Sequence, residues 1–152
     1  MIRLCIISRE GPIRMDVKEK YNYSIMSQKD LSHGGAKRYS AIIVTDRYYS
    51  KEILRFIIEE ATGILLGSNY YRDELVKARW KKSPAHVVWL YVACDLNDVE
   101  NANWVCRTCF IDGSLEESMR PIGLEGDEKV GMIDVKWNSD YKTTKDFLES
   151  SG

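Results

Sequence analysis

At 152 residues the chain has the length of one ordinary domain, enough to bury a core without metals or disulfides. Charged residues make up 30% and hydrophobic ones 44%, a balance that excludes a disordered chain. A net charge of -1 excludes capture of nucleic acid or anionic membrane by the field of the whole molecule, so any such binding needs a local patch.

No apolar run reaches bilayer length, and no membrane partner is expected. The apolar residues 4–8 lack a basic lead and a long apolar region, and they read as a strand rather than an export signal. The expected setting is cytoplasmic, with the four cysteines as reduced thiols.

Residues 4–8, the turn Glu10-Gly11-Pro12 and residues 13–20 predict a β-hairpin. In its second arm Ile13, Met15 and Val17 alternate with Arg14, Asp16 and Lys18, giving one apolar and one charged face. Residues 21–38 are polar, carry Ser32-His33-Gly34-Gly35 and predict a loop. Residues 39–45 (YSAIIVT) form a nearly continuous apolar run, as in a buried parallel strand. Asp46 or Ser50 then caps a helix in which Ile53, Leu54, Ile57, Ile58 and Ala61 recur at helical spacing, and Gly63 ends it. Residues 64–66 predict a brief strand, 67–69 a turn, and 70–81 a second helix stopped ahead of Pro84. Further on, residues 86–95 and 104–111 read as the arms of a long hairpin across a polar turn at 97–103. A loop over 112–129, a strand over 130–137 and a short helix over 143–150 complete the chain. The expected fold is α+β (mixed α/β): a mixed β-sheet flanked by two main helices, with a β-rich C-terminal extension, in a single domain over 1–152.

Cys106 and Cys109 form a C-x-x-C, but inside a strand their side chains point to opposite faces, as ordinary buried cysteines do. His33 beside two glycines reads either as a mobile active-site histidine or as plain loop chemistry, and His86 opens an apolar strand as a structural residue. Tyr48, Tyr49, Tyr70 and Tyr71, with Arg47 and Arg72, either stack on bases or cap a core edge. The sharper signal is a repeat, Asp16-Val17-Lys18 and Asp134-Val135-Lys136. Positions i and i+2 of a strand share a face, so carboxylate and ammonium project side by side. The acid can ligate a divalent metal and the lysine can assist an attacking water. The plainer reading is an exposed charged strand face.

The order hairpin, strand 41–45 (AIIVT), helix start 49–52 (YSKE), strand 63–66 (GILL) and helix start 73–75 (DEL) resembles the PD-(D/E)xK nuclease superfamily, especially its Mrr-like restriction endonuclease core. The resemblance covers about residues 2–80, which makes 1–82 a nuclease-like half and 83–152 the extension. It implies that Asp16 is a metal-binding carboxylate, Lys18 the catalytic lysine and Mg²⁺ the cofactor. The first acid of the family pattern is missing, because residues 4–8 contain none and Glu10 lies in the turn. Three readings follow: a truncated nuclease, a fold that has lost catalysis and binds DNA or protein, or acids drawn from Asp46, Asp95, Asp112 or Asp134. In the last case Asp112 and Asp134 with Lys136 form the alternative catalytic set.

Two functions are thus expected. One is a Mg²⁺-dependent nuclease-like protein acting on DNA, with Lys37, Arg38, Arg47 and Arg72 on phosphates. The other is a non-enzymatic protein-interaction or homo-oligomer module, whose interface is the aromatic β-region of Trp89, Tyr91, Trp104, Phe110 and Trp137 if that region is exposed.

Overall fold

The computed structural model describes residues 21–141. The hairpin predicted over 4–20, with Asp16 and Lys18, and the helix predicted over 143–150 lie outside the described residues.

Among the described residues six strands form one mixed sheet. They are β1 (Ser24–Asp30), β2 (Arg38–Val44), β3 (Val87–Ala93), β4 (Cys106–Ile111), β5 (Glu128–Val130) and β6 (Ile133–Trp137), in the spatial order β1-β2-β3-β4-β6-β5. Among these six strands β2 and β3 pair parallel and the other neighbours pair antiparallel. Strands from both halves of the chain therefore share one sheet, an α+β arrangement. The parallel pair needs a crossover, and α1 (Lys51–Leu66) supplies it.

Ser50 caps α1 by accepting from Ile53 N. Leu54, Ile57, Ile58, Ala61 and Leu65 form its buried stripe. They pack on Tyr39, Ala41 and Ile43 of β2, Val88, Leu90 and Val92 of β3, and Val135 of β6. The helix does not stop at Gly63. Ile64 and Leu65 continue the 3.6-residue stripe, Leu65 is buried, and Gly67 is the C-cap, so residues 64–66 are helix and not the brief strand expected.

α2 (Glu74–Trp80), capped by Asp73, buries none of its residues. A short α3 (Leu96–Glu100) replaces the turn expected at 97–103, because the Asp95 carboxylate caps it by accepting from Asp98 N at 2.8 Å. No helix among the described residues is long and apolar enough to cross a membrane.

Two further departures have local causes. The loop expected at 21–38 contains β1, an edge strand whose alternation is broken by a bulge between Met26 and Lys29, with Ser27 at φ +53°. The strand expected over 130–137 is instead a hairpin, β5 and β6, reversed at Gly131 with φ +63°, where an L side chain is disfavoured.

Candidate functional site

The two faces of the sheet have different fates. One is covered by α1 and forms the main core. On the other, Leu115, Met119 and Leu124 of the segment after β4 pack on Ala36, Val87 and Cys109 and close one end. Among the described residues the remainder of that face is left open, as a hollow of about 580 Å³ lined by Ser27, Lys29, Leu31, Ile42, Trp89, Tyr91 and Trp104 among others.

Strand register decides what the open face presents. Met26, Ile42, Tyr91, Arg107 and Lys136 stand opposite one another in turn across β1, β2, β3, β4 and β6. The next row on the same face is Lys29, Ser40, Trp89, Cys109, Asp134 and Lys129. Just before β4, Trp104 leans on Tyr91 with ring centroids 5.3 Å apart and planes at 53°. The Arg38 guanidinium lies over Trp89 at 5.6 Å and contacts the His33 ring. Half-buried aromatic rings thus sit among Lys29, Arg38, Arg107 and Lys136.

The carboxylates on this face are largely compensated. Asp134 pairs with Lys129 at 2.8 Å, and Asp127 lies 3.6 Å from Lys136. This arrangement also separates the second Asp-Val-Lys: each member turns to a partner on β5 or just before it, not to the other. Asp112, beyond the end of β4, closes a turn by accepting from Ser114 N and Ser114 Oγ, each at 3.1 Å. Asp134 stands opposite Cys109. The alternative set of Asp112, Asp134 and Lys136 is therefore not brought together. Among the described residues no group of three or more His, Cys, Asp or Glu is arranged to hold a metal. A hard cation needs several oxygens converging on one point, and these acids do not supply them.

The four basic residues expected on phosphates scatter. Lys37 is fully buried, its ammonium donating to Ser68 O at 2.8 Å and to Ser83 O, with the Tyr71 ring 5.0 Å away. Burial lowers its pKa, against the opposing pull of Asp30. This lysine fastens two loops and is withdrawn from any phosphate. Arg72 is held by the buried Asp30, through an ion pair at 3.5 Å and a donation to Asp30 O at 3.2 Å. Burial alone would raise the Asp30 carboxyl, yet the donors of Ser32 and Arg72 outweigh it and hold it below its ordinary value. Arg47 follows the end of β2, opposite to Arg38 at its start, and lies over the Tyr49 ring at 5.6 Å. Of the four, Arg38 alone reaches the open face.

The tyrosine set divides as well. Tyr49 is buried in the core, whereas Tyr48 is exposed and stacks on Tyr141 at 6.2 Å. Tyr71 shields Lys37, and Tyr70 is exposed. Within the aromatic β-region, Trp137 and Phe110 join the core, while Trp89, Tyr91 and Trp104 line the hollow. Cys106 belongs to the α1-side core and Cys109 to the opposite cluster. Burial pushes their thiols up to about 12 and about 11, as for packing residues rather than nucleophiles. His86 accepts from Lys37 N through Nδ1 at 3.0 Å, a structural bond.

Arg107 and Lys29 were not singled out from the sequence. Arg107 is exposed between the buried Cys106 and Thr108, a period-2 signal inside β4. Lys29 was hidden by the bulge. No family model matches this chain, and comparison with curated proteins and with solved structures returns no match.

Proposed function

We propose that this protein binds nucleic acid on the open face of its sheet. The observation that carries the reading is the register row Tyr91, Arg107, Lys136, with Trp104 packed on Tyr91: a pair of rings stands beside two successive cations on a surface that no other described element covers. Stacking accepts any base, and cations follow the phosphate backbone. Charge complementarity favours this occupant over a protein. Lys29, Arg38 and Arg107 surround the rings in excess of Lys129 and Lys136, the lysines that match the nearest acids, Asp134 and Asp127. A near-neutral chain can bind a polyanion in this way because the cations are gathered on one face.

Electrophoretic shift at a series of salt concentrations tests the reading. Binding should weaken steeply with salt. Arg107→Ala and Lys136→Ala should each flatten the log–log slope by about 0.7 to 0.9, the value for one lost phosphate contact. Absence of a shift at low salt, with a stable dimer by light scattering, would instead mark the face as an interface between protein chains.

Metal-dependent cleavage of DNA is a second proposal, resting on the Asp16-Val17-Lys18 spacing and the strand and helix that follow it at Arg38–Val44 and Lys51–Leu66, without the strand that the resemblance placed at 63–66. In it Asp16 contributes to holding Mg²⁺, which would lower the pKa of a bound water, and Lys18 assists the attack. Plasmid nicking with Mg²⁺ or Mn²⁺, abolished by Lys18→Ala but not by Lys136→Ala, is the expected outcome. An unchanged rate in Lys18→Ala rules it out.

A further inference from the structure

We infer that the open face takes a single strand of nucleic acid in preference to a duplex, over a footprint of about four nucleotides; this rests on the binding reading above. The rings carry the argument. Tyr91 and Trp104 meet at 53°, so together they form a wedge rather than a flat stack. A wedge can receive the face of an unpaired base, and the bases of a duplex have both faces covered by their neighbours. Duplex readout requires an element that enters a groove, usually a helix or a two-stranded ribbon. Here the rings are half-buried and line a hollow between β1 and the start of β4, so much of their area faces into the hollow rather than outward. A duplex resting there would meet the rim cations and leave Trp89, Tyr91 and Trp104 unused.

The length follows from the sheet. From Lys29 on β1 to Lys136 on β6 there are four strand intervals of about 4.8 Å each, a path of about 19 Å. That matches about four nucleotides, the short end for a single β-sheet surface. Along the path Lys29 lies at one end and Arg107 with Lys136 at the other, with the aromatic rings between. Phosphates therefore contact both ends while the central bases turn in to the wedge. None of these contacts selects one base by hydrogen bonding, so the preference is for strandedness more than for sequence.

The test is fluorescence anisotropy with labelled oligothymidylates of two to ten nucleotides and a blunt duplex of ten base pairs, beside quenching of the protein's own tryptophan emission. Single strands should bind at least about tenfold tighter than the duplex, with affinity levelling off near four or five nucleotides, and should quench emission. Trp104→Ala and Tyr91→Ala should each weaken single-strand binding about tenfold, the loss of one stacked base, and so narrow the gap between single strand and duplex. Thermal midpoints verify that the variants fold. If Trp104→Ala does not fold, the length series and quenching of the unaltered protein decide the matter. Equal affinity for duplex and single strand, or no quenching on binding, overturns this inference and leaves the binding reading intact. No binding to either form removes both.

Discussion

Lys37 shows how little a residue's type says about its use. In the sequence it stands in a basic pair beside a loop, as phosphate-contacting residues often do. In the structure its stem is fully buried and its ammonium is bound to two carbonyls from separate loops. Truncation there removes buried methylenes and leaves two acceptors without their donor. Lys37→Ala should cost about 3 kcal/mol in urea unfolding. Nucleic-acid affinity measured on the folded fraction should not change, whereas Arg107→Ala should show the reverse pattern. Asp98 is similar: three donors, Cys94 N, Asn103 Nδ2 and Tyr141 OH, converge on its buried carboxylate. The sequence shows only one more acid in a polar turn.

At the scale of elements, local signals were sufficient wherever periodicity was unbroken. Residues 39–45 read as a buried parallel strand and residues 86–95 and 104–111 as the arms of a hairpin; β2 runs parallel to β3, and β3 and β4 pair antiparallel. Failures came where a single residue redirected the backbone. The bulge concealed β1, Gly131 divided the last strand, and Gly63 proved to be an exposed helical position with open space beside it rather than a stop. Gly126 has a different constraint. A Cβ there would lie 2.8 Å from Val135 O and 3.1 Å from Val135 N, backbone that cannot move aside without disturbing β6. Gly126→Ala should therefore destabilise the β5–β6 hairpin by about 2 kcal/mol, seen as faster amide exchange in residues 128–137. Gly34→Ala, with nothing near its Cβ, should have no such effect.

Over the whole molecule, Glu128 ties the helical layer to the far edge of the sheet. Its carboxylate accepts from Arg55 of α1 at 2.7 and 3.0 Å and from the Trp137 indole at 2.9 Å. The Arg55 hydrogen bond, then that of Trp137, hold its pKa down at about 2, against an ordinary 4.5. The folded protein thus keeps this carboxylate ionised at a pH where the unfolded chain takes up a proton. The stabilisation is complete above about pH 4.5 and is lost as the pH falls toward 2. The lowered Asp30 carboxyl acts in the same direction. Acid titration of the unfolding free energy should fall through that window, and Glu128→Gln should make the descent shallower without altering the slope above pH 6.

Composition and hydrophobic period were enough to determine an α+β chain with a buried parallel strand, an amphipathic helix behind it and cysteines turned to opposite faces. These features depend on neighbours a few residues apart, which the sequence displays directly. Only the tertiary structure decided which face of the sheet remains open and which charges are spent. Arg107 comes to Tyr91 and Lys136 through strand pairing, Lys37 is enclosed by residues 31 and 46 positions away, and the two lysine–carboxylate pairs at β5 and β6 depend on the two-residue turn Gly131-Met132. Register across a sheet is set by packing of the whole molecule, and a shift of one residue would exchange its open and buried faces.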